Sequence, residues 1–153
     1  MKLSQNFTIQ DAIKSQTADR LGINNYPPEI IIPKLKYAAM NILEIVLSFY
    51  NTPIFPSSWY RCLELNRQIG SNDNSQHTKG EAIDFEIVGV DNKVLAYWCV
   101  DNLPTFDQLI LEFYKEGDPN SGWVHCSVVE NKNNRREILT IGKGFKKAGL
   151  PPI

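Results

Sequence analysis

Residues 32 to 46 carry an apolar repeat with helical spacing, which restricts the possible folds more than any other stretch. The repeat consists of Ile32, Leu35, Ala38, Ala39, Ile42, Ile45 and Val46. Residues three and four positions apart lie on one face of an α-helix, so the pattern predicts a long amphipathic helix with one buried side. Pro33 is tolerated near the first turn, and we expect the helix to end before Asn51 and Pro53. We interpret it as the main core helix.

Shorter segments predict further helices. Thr8, with Asp11 three residues later, is typical of a helix start and predicts a short helix over residues 9–19. Asp91 is a favourable N-cap for a helix over residues 91–103. Residues 62–68 are expected to form another short helix.

Alternating residues predict the first main strand of a sheet. In residues 81–88, with the sequence EAIDFEIV, side chains two positions apart share a face. Ala82, Asp84 and Glu86 are therefore expected on one side of the strand. A short strand is also expected near residues 54–57.

Two further strands are predicted to form a hairpin, over residues 108–114 and 122–129, joined by the turn-rich sequence KEGDPNS. After a polar basic loop, a short strand is expected at residues 137–141, followed by a polar end rich in glycine and lysine. Together with the helices, these strands predict an α+β fold in which a small antiparallel sheet packs against helices.

Composition limits the class of protein. With 153 residues, of which 42% are hydrophobic, the chain is long enough for one core, and we expect a single domain over residues 1–153. The formal net charge of −1 gives no global basic field, and no apolar run approaches the roughly 20 residues that span a bilayer. We therefore expect neither a nucleic-acid nor a membrane partner. The N-terminus lacks the apolar segment of a secretory signal, so we expect synthesis in the cytoplasm.

The three cysteines, Cys62, Cys99 and Cys126, form no pairing motif, and we expect buried reduced thiols. Cys126 follows His125, which raises the alternative of a nucleophilic Cys–His pair. Adjacent residues of a strand point to opposite faces, and this argues against such a pair.

The two histidines, His77 and His125, point to a metal site. His77 and Asp84 lie seven positions apart, and His125 can join them from the predicted hairpin. Imidazole nitrogen and carboxylate oxygen are ligands that zinc accepts, and a catalytic zinc site uses three protein ligands plus water. By spacing alone, a solvated or otherwise satisfied histidine remains the alternative.

The hairpin suggests a carboxylate beside this site. If the linker is centred near residues 118 and 119, antiparallel pairing puts Glu112 opposite His125. The same register puts Ile110 opposite Ser127, and Tyr114 opposite Trp123. Glu112 is then a candidate proton acceptor next to a metal ligand. The alternative is an exposed glutamate on the solvent face, since a slip of one residue turns its side chain away.

Four blocks of the sequence together resemble the M15 zinc peptidases. They are SSWYR at 57–61, LNRQIGSNDNSQHTKGEAIDF at 65–85, FDQLILEF at 106–113 and GWVHCSV at 122–128. The pattern S-x-H-x-x-G-x-A-x-D is matched by Ser75, His77, Gly80, Ala82 and Asp84, and a W-x-H element by Trp123 and His125. The resemblance covers about residues 30–130. It implies the fold shared by D-alanyl-D-alanine carboxypeptidases, phage endolysins that cut L-alanyl-D-glutamate bonds, and the hedgehog signalling domain.

The resemblance also implies roles for single residues. His77, Asp84 and His125 match the ligands of a Zn²⁺ cofactor. Arg61 matches an arginine that binds a substrate carboxylate or polarises the scissile carbonyl, and both tasks suit a charged donor fork. Ser75 matches the motif and is expected to orient the loop that carries His77, residues 75–80, which we call the metal loop.

Tyr114 and Trp123 are candidates for the wall of the substrate groove. Many members of the family carry their catalytic glutamate three residues before the last histidine ligand, where this chain has Gly122. We therefore expect Glu112 to be the catalytic base, because the QLI-x-E string occurs in the branch that this chain resembles. Glu116 and Asp118, on the turn, are weaker candidates.

The resemblance therefore implies a zinc-dependent metallopeptidase that hydrolyses peptidoglycan stem peptides at D-Ala-D-Ala or L-Ala-D-Glu bonds, in cell-wall lysis or remodelling. The alternative is a non-catalytic zinc-binding module similar to the hedgehog domain, which Gly122 keeps open. A nucleic-acid binder conflicts with the overall acidic balance and rests only on a basic tail of Lys132, Arg135, Arg136, Lys143, Lys146 and Lys147. We expect a monomer. Release to the cell wall by a phage holin, a virion-associated role and a cytoplasmic role all fit.

Overall fold

The computed structural model of the chain describes residues 1–130 and 133–153. The helices are α1 (Ile9–Ile13), α2 (Gln16–Leu21), α3 (Ile32–Ala38), α4 (Glu44–Tyr50), α5 (Leu63–Gln68) and α6 (Asn92–Asn102). The strands are β1 (Ala82–Phe85), β2 (Gln108–Glu112), β3 (Trp123–Ser127), β4 (Glu137–Gly142) and β5 (Phe145–Ala148). Residues 131 and 132, and with them Lys132 of the predicted basic tail, lie outside the described residues.

The strands form a 5-stranded sheet within the described part of the chain, in the order β1-β3-β2-β4-β5. Neighbouring strands are antiparallel except β2 and β4, which are parallel. The α+β class is confirmed, but the sheet is mixed, whereas we expected an antiparallel one. Strands β3 and β4 lie on opposite sides of β2. After β3, the chain therefore passes over to the other side of β2, where β4 joins the sheet parallel to β2. No local turn pattern in the sequence marks this crossing.

Strand β5 replaces the polar end that the sequence predicts. Gly144, with φ of +78°, takes the left-handed conformation that allows the turn back onto β4. All residues of β5 are exposed. The run of buried residues that the other strands contain is therefore missing here.

The predicted core helix is confirmed and ends as expected, with Asn51 as a left-handed C-cap after Tyr50. Its middle is not a regular α-helix, because Ala39–Leu43 form a π-helical segment between α3 and α4. The apolar residues around one π-helical turn are still three and four positions apart in the sequence. The sequence pattern therefore does not distinguish this turn from a regular α-helix. The fully buried residues of this helix are Leu35, Ala38, Ala39, Ile42, Leu43 and Val46.

Two predictions for the segments around the N-terminal helices and before residue 58 are also wrong. The helix expected over residues 9–19 is divided at Lys14, whose ψ of 126° is not helical, and Ser15 caps the second half as the start of α2. The capping box of Thr8 and Asp11 is nevertheless present. In place of the strand expected near residues 54–57, Ser58 forms one isolated bridge with Asp84.

One hydrophobic core joins the helices to the sheet, and its largest fully buried side chains include Trp59, Phe85 and Phe106. Cys99 and Cys126 are buried free thiols, as expected, and burial raises the pKa of each. Cys126 thus points into the core, away from the face that carries His125. No helix among the described residues has the length and apolar character needed to cross a bilayer.

Candidate metal centre

The pairing of β1 with β3 brings Asp84 and His125 together. The two residues are direct cross-strand partners, so their side chains share a face of the sheet. His125 Nδ1 lies 2.9 Å from Asp84 Oδ1. Both residues are buried, and the alternation of residues 81–88 put Asp84 on the correct face.

His77 approaches the same carboxylate from the loop before β1. It lies in the 3₁₀ turn Gln76–Lys79, which Ser75 caps by accepting a hydrogen bond from the His77 backbone N–H at 3.2 Å. Gly80, with φ of +73°, then turns the chain into β1. A Cβ at Gly80 would lie 2.8 Å from Ile31 Cγ2, so this turn requires glycine for both conformation and space.

A backbone carbonyl fixes the orientation of the His77 ring. His77 Nδ1 lies 2.7 Å from the carbonyl oxygen of Trp59 and donates its proton there. The other nitrogen, Nε2, is then free of hydrogen and lies 3.4 Å from Asp84 Oδ2. A partner of this kind on the outer nitrogen is the usual support of a metal-binding histidine.

The three residues together form a group that could hold a metal ion. One ligand atom from each of His77, Asp84 and His125 lies within 4.8 Å of the others. Two imidazole nitrogens and one carboxylate oxygen, all buried, are a donor set that fits zinc and leaves a fourth position open. The three predicted ligands are therefore brought together by the fold.

The electrostatics of the cluster also suit a cation. Burial lowers the pKa of His77, although Asp84 opposes this, so the imidazole is neutral near pH 7 and able to bind a metal. Burial would raise the pKa of Asp84, but His77 and His125 outweigh it and hold that pKa below its usual range. The cluster thus presents a carboxylate and lone pairs to a common centre.

Glu112 lies beside this cluster, although the predicted register is wrong. Glu112 pairs with Trp123, and Ile110 pairs with His125, a shift of two positions from the expected pairing. Because the side-chain period of a strand is also two, Glu112 stays on the same face as His125. Glu112 Oε1 lies 3.6 Å from His125 Nδ1. Burial raises the pKa of Glu112, and Asp84 adds to this effect, while His125 and Arg61 oppose it.

The shift in register has a local cause at the end of the hairpin. Phe113 takes a φ of +56° and Gly122 a φ of +65°, so both strands leave the ladder directly after the pair of Glu112 and Trp123. The connection is therefore centred between residues 117 and 118. The turn sequence alone had indicated a centre near residues 118 and 119, and this error of one position produced the wrong register.

Arg61 also reaches the cluster. Its backbone N–H donates to the carbonyl of His77 at 3.2 Å, and its guanidinium contacts the hydroxyls of Ser58 at 3.4 Å and Ser75 at 3.5 Å. Burial lowers the pKa of Arg61, while Asp84 and Glu112 raise it. Arg61 Nε is buried without a hydrogen-bond partner among the described residues. Arg61 thus brings a positive charge to the surroundings of the two carboxylates and keeps one donor without a partner in the described chain.

The two aromatic candidates lie in different places. Trp123 stacks on Phe113 with ring centroids 5.4 Å apart. Its indole Nε1 has no hydrogen-bond partner among the described residues, yet it lies close enough to Glu112 to lower the pKa of that carboxyl. Tyr114 donates instead to Asp91 Oδ2 at 3.0 Å, at the start of α6, so the fold does not bring it to the cluster.

Sequence reasoning missed the contribution of Trp59 and Ser58. Trp59 acts through its backbone carbonyl, which any residue carries, so no side-chain pattern could indicate it. Ser58 lies in the SSWYR block, but its support of the site becomes visible only in the fold, through its isolated bridge to Asp84 and its contact with the Arg61 guanidinium.

Comparison with known proteins agrees with this geometry. A family model described as Peptidase M15 matches residues 5–127. Among curated proteins, none matches the chain. The matched span contains the three candidate ligands, Arg61 and Glu112.

Proposed function

The chain belongs to the M15 peptidase family, and from that membership we propose that it is a zinc-dependent peptidase that hydrolyses stem peptides of peptidoglycan. The observation that carries the proposal is the convergence of His77, Asp84 and His125 with Glu112 beside them. The family supports peptide hydrolysis. The metal and the wall peptide are our inference from the donor set and from the sequence motifs.

His77 through Nε2, Asp84 through a carboxylate oxygen and His125 through Nδ1 would hold the ion. When bound there, zinc would polarise the scissile carbonyl and lower the pKa of a water molecule toward about 7. Trp59 and Ser75 keep His77 in place, through the ring nitrogen and the backbone N–H respectively.

Glu112 acts as the base and later as the acid. A carboxylate with a raised pKa in a half-buried site is suited to accept a proton from the attacking water and pass it to the leaving amine. Glu112 is the cross-strand partner of Trp123, and its Oε1 lies 3.6 Å from His125 Nδ1, so its carboxylate lies on the face where the ligands meet. Both proton transfers can then occur at one carboxylate.

Arg61 stabilises the negative charge that develops on the carbonyl oxygen during attack. Its guanidinium is held by Ser58 and Ser75, and its Nε donor has no partner in the described chain. A fixed cationic donor that need not reorganise is most effective when charge appears in the transition state.

The test measures zinc content and hydrolysis of purified peptidoglycan for the wild type, Glu112→Gln and Glu116→Gln. Glu116 is a matched control because it lies on the same hairpin but its carboxylate pairs with Lys93 Nζ at 2.6 Å. We expect about one zinc per chain in all three proteins. Activity should fall by at least about a hundredfold in Glu112→Gln only.

Each other outcome has a definite meaning. Zinc in all three proteins with no hydrolysis of several wall types would favour the non-catalytic binding module. Equal activity in Glu112→Gln and the wild type would remove Glu112 from the mechanism. A wild type that binds no zinc would overturn the site itself.

A further inference from the structure

A cleft of about 360 Å³ opens directly beside His125. Its walls include Ser75, Gln76, Lys79, Gln108 and Arg135. Since a candidate metal ligand forms one wall, a peptide bound at the metal centre would place a neighbouring group in this cleft. The cleft is therefore part of the substrate path under the proposed function, on which this inference rests.

Arg135 forms a rigid wall of the cleft. Its Nε and one terminal nitrogen, Nη2, donate to Asp107 at 3.0 and 2.7 Å, and its backbone N–H donates to the same carboxylate at 3.0 Å. A guanidinium held by two parallel hydrogen bonds keeps a fixed orientation. The position of its free edge is thus set before any ligand arrives.

The partner of Arg135 is turned away from the cleft. Asp107 is only 3% exposed and also accepts a hydrogen bond from Gln76 Nε2 at 3.0 Å. By contrast, the Arg135 side chain is 56% exposed. What the cleft presents at this wall is a guanidinium edge, not the carboxylate behind it.

One carboxylate already lies near that edge. Glu137 Oε1 is 3.7 Å from Arg135 Nη1 and accepts a hydrogen bond from Gln108 Nε2 at 2.6 Å. The contact with arginine is long, so this edge can accept a closer carboxylate. Glu137 would compete with such a ligand for Arg135.

Lys79 adds a second cation to the same cleft. Its side chain is exposed, and no salt bridge joins it to an acidic residue in the described ranges 1–130 and 133–153. Lys79 lies on the wall that the metal loop forms. Arg135 lies on the wall formed by the segment that precedes β4. A flexible ammonium and a fixed guanidinium then face one small volume.

Arg61 serves a separate purpose. It is surrounded by Asp84, Glu112 and two serine hydroxyls, and it does not line this cleft. With Arg61 assigned to the reacting carbonyl, a charged group elsewhere on the substrate needs another cation.

We propose that the cleft beside His125 is a subsite for a substrate carboxylate, which Arg135 and Lys79 bind. The proposal adds to the peptidase a preference for peptides with a free carboxylate near the cleaved bond. In a stem peptide, the candidates are the glutamyl carboxylate and the C-terminal carboxylate. Amidation of the recognised group removes its charge with little change in shape.

The test uses a stem pentapeptide with both carboxylates free and two matched forms, one amidated at the glutamyl carboxylate and the other at the C-terminus. KM, kcat and calorimetric affinity are measured for the zinc-loaded wild type, Lys79→Gln, Arg135→Gln and Lys143→Gln. We expect the wild type to favour one acid over its amide by about tenfold in KM and in affinity, the effect of one charge-assisted contact. Lys79→Gln and Arg135→Gln should lose most of that ratio, both in KM and in calorimetric affinity.

Lys143 is the matched control, because it is exposed on the turn before β5 and does not line the cleft. Its variant should keep the wild-type ratio. Glu137→Gln should change the ratio in the opposite direction and favour the acid more strongly, since it removes the competing carboxylate. Lys79→Gln keeps the test decisive if Arg135→Gln fails to fold, because Lys79 is exposed and its replacement should not affect folding.

Two results would overturn the subsite: equal affinity of the wild type for acid and amides, or an unchanged ratio in both cleft variants. Failure of the proposed function looks different. In that case no peptide is hydrolysed, yet calorimetry still decides whether the cleft distinguishes a carboxylate from an amide.

Discussion

The backbone at Gly122 excludes a side chain. A Cβ at this position would overlap the carbonyl oxygen of Glu112 and lie 2.7 Å from the backbone nitrogen of Tyr114. Its φ of +65° is unfavourable for other residues as well. A catalytic glutamate three residues before His125 is therefore incompatible with this hairpin. Glu112, on the paired strand β2, supplies a carboxylate on the face of the sheet that carries His125.

This steric limit gives the first prediction. Gly122→Ala should lower the free energy of unfolding by more than about 2 kcal/mol, because conformational strain and backbone overlap add. Gly117→Ala is the matched control, since Gly117 has φ of +88° on the same hairpin but open space around it. Urea denaturation of both variants separates overlap from conformation. Equal losses would show that the backbone moves to admit a side chain.

Arg61 gives a second prediction at the same scale. Arg61→Lys keeps the charge but loses the fork that contacts Ser58 and Ser75. We expect kcat/KM for peptidoglycan peptides to fall at least about tenfold while zinc content stays unchanged. Arg67→Lys, which alters an exposed arginine paired with Asp73, serves as the control. A similar fall in both variants would argue against a role for Arg61 in the reaction.

At the scale of elements, Asp107 connects three segments just before β2. Its carboxylate accepts from Arg135 ahead of β4 and from Gln76 in the metal loop, and its backbone N–H donates to Ser127 in β3. Burial would raise the pKa of Asp107, but the hydrogen bonds from Arg135 and Gln76 hold that pKa below its usual range. The entry of β4 into the sheet and the position of the metal loop thus depend on one ionised carboxylate.

A carboxyl with a lowered folded pKa stabilises the fold above its unfolded pKa and loses that contribution as pH falls through the folded value. Asp107→Asn should therefore lower the free energy of unfolding by about 2 kcal/mol at pH 7. Below roughly pH 4, the unfolded value for an aspartate, the difference from the wild type should shrink. Urea denaturation of Asp107→Asn and the wild type at pH 7 and below pH 4 measures this difference in the free energy of unfolding. Asp73→Asn is the control, and its free energy of unfolding should differ little from that of the wild type at either pH, because the pair of Asp73 with Arg67 is on the surface. A loss of stability in Asp107→Asn that is the same at both pH values would contradict this role of the Asp107 carboxylate.

At the scale of the whole molecule, the candidate metal centre joins parts of the chain that are far apart in sequence. The 3₁₀ turn supplies His77, β1 supplies Asp84 and β3 supplies His125, while the carbonyl of Trp59 supports them from another segment. An ion that binds only when these parts are assembled must stabilise the folded state.

Zinc at 100 times its dissociation constant should stabilise the fold by about 2.7 kcal/mol, a rise in Tm of roughly 5–10 °C for a chain of this size. Thermal denaturation with and without a chelator measures the shift. Magnesium is the control ion, because it prefers an octahedral set of oxygen ligands and should give no shift. His77→Ala should also show none. An equal zinc shift in that variant would place the ion elsewhere.

The sequence by itself determined the features that depend on neighbours along the chain. The helical repeat and the caps at Thr8 and Asp91 are local patterns, and each is confirmed because adjacent residues set them. The strand predicted over residues 81–88 is confirmed only for Ala82–Phe85, where Asp84 shares a face with His125, and Glu86 lies beyond its end. The face of Glu112 was also predictable, since an error of two in the register does not change it. The motif residues identified the family, and the fold brings the three predicted ligands together.

The tertiary structure alone decided how distant segments meet. The register of β2 and β3 follows from left-handed residues at Phe113 and Gly122, and the parallel pair of β2 and β4 follows from a crossing held by Asp107. The carbonyl of Trp59 on His77, and the cleft between Lys79 and Arg135, involve groups that leave no periodic trace in the chain. Such contacts depend on loop geometry and packing over long sequence separations, which a local pattern of residue types does not encode.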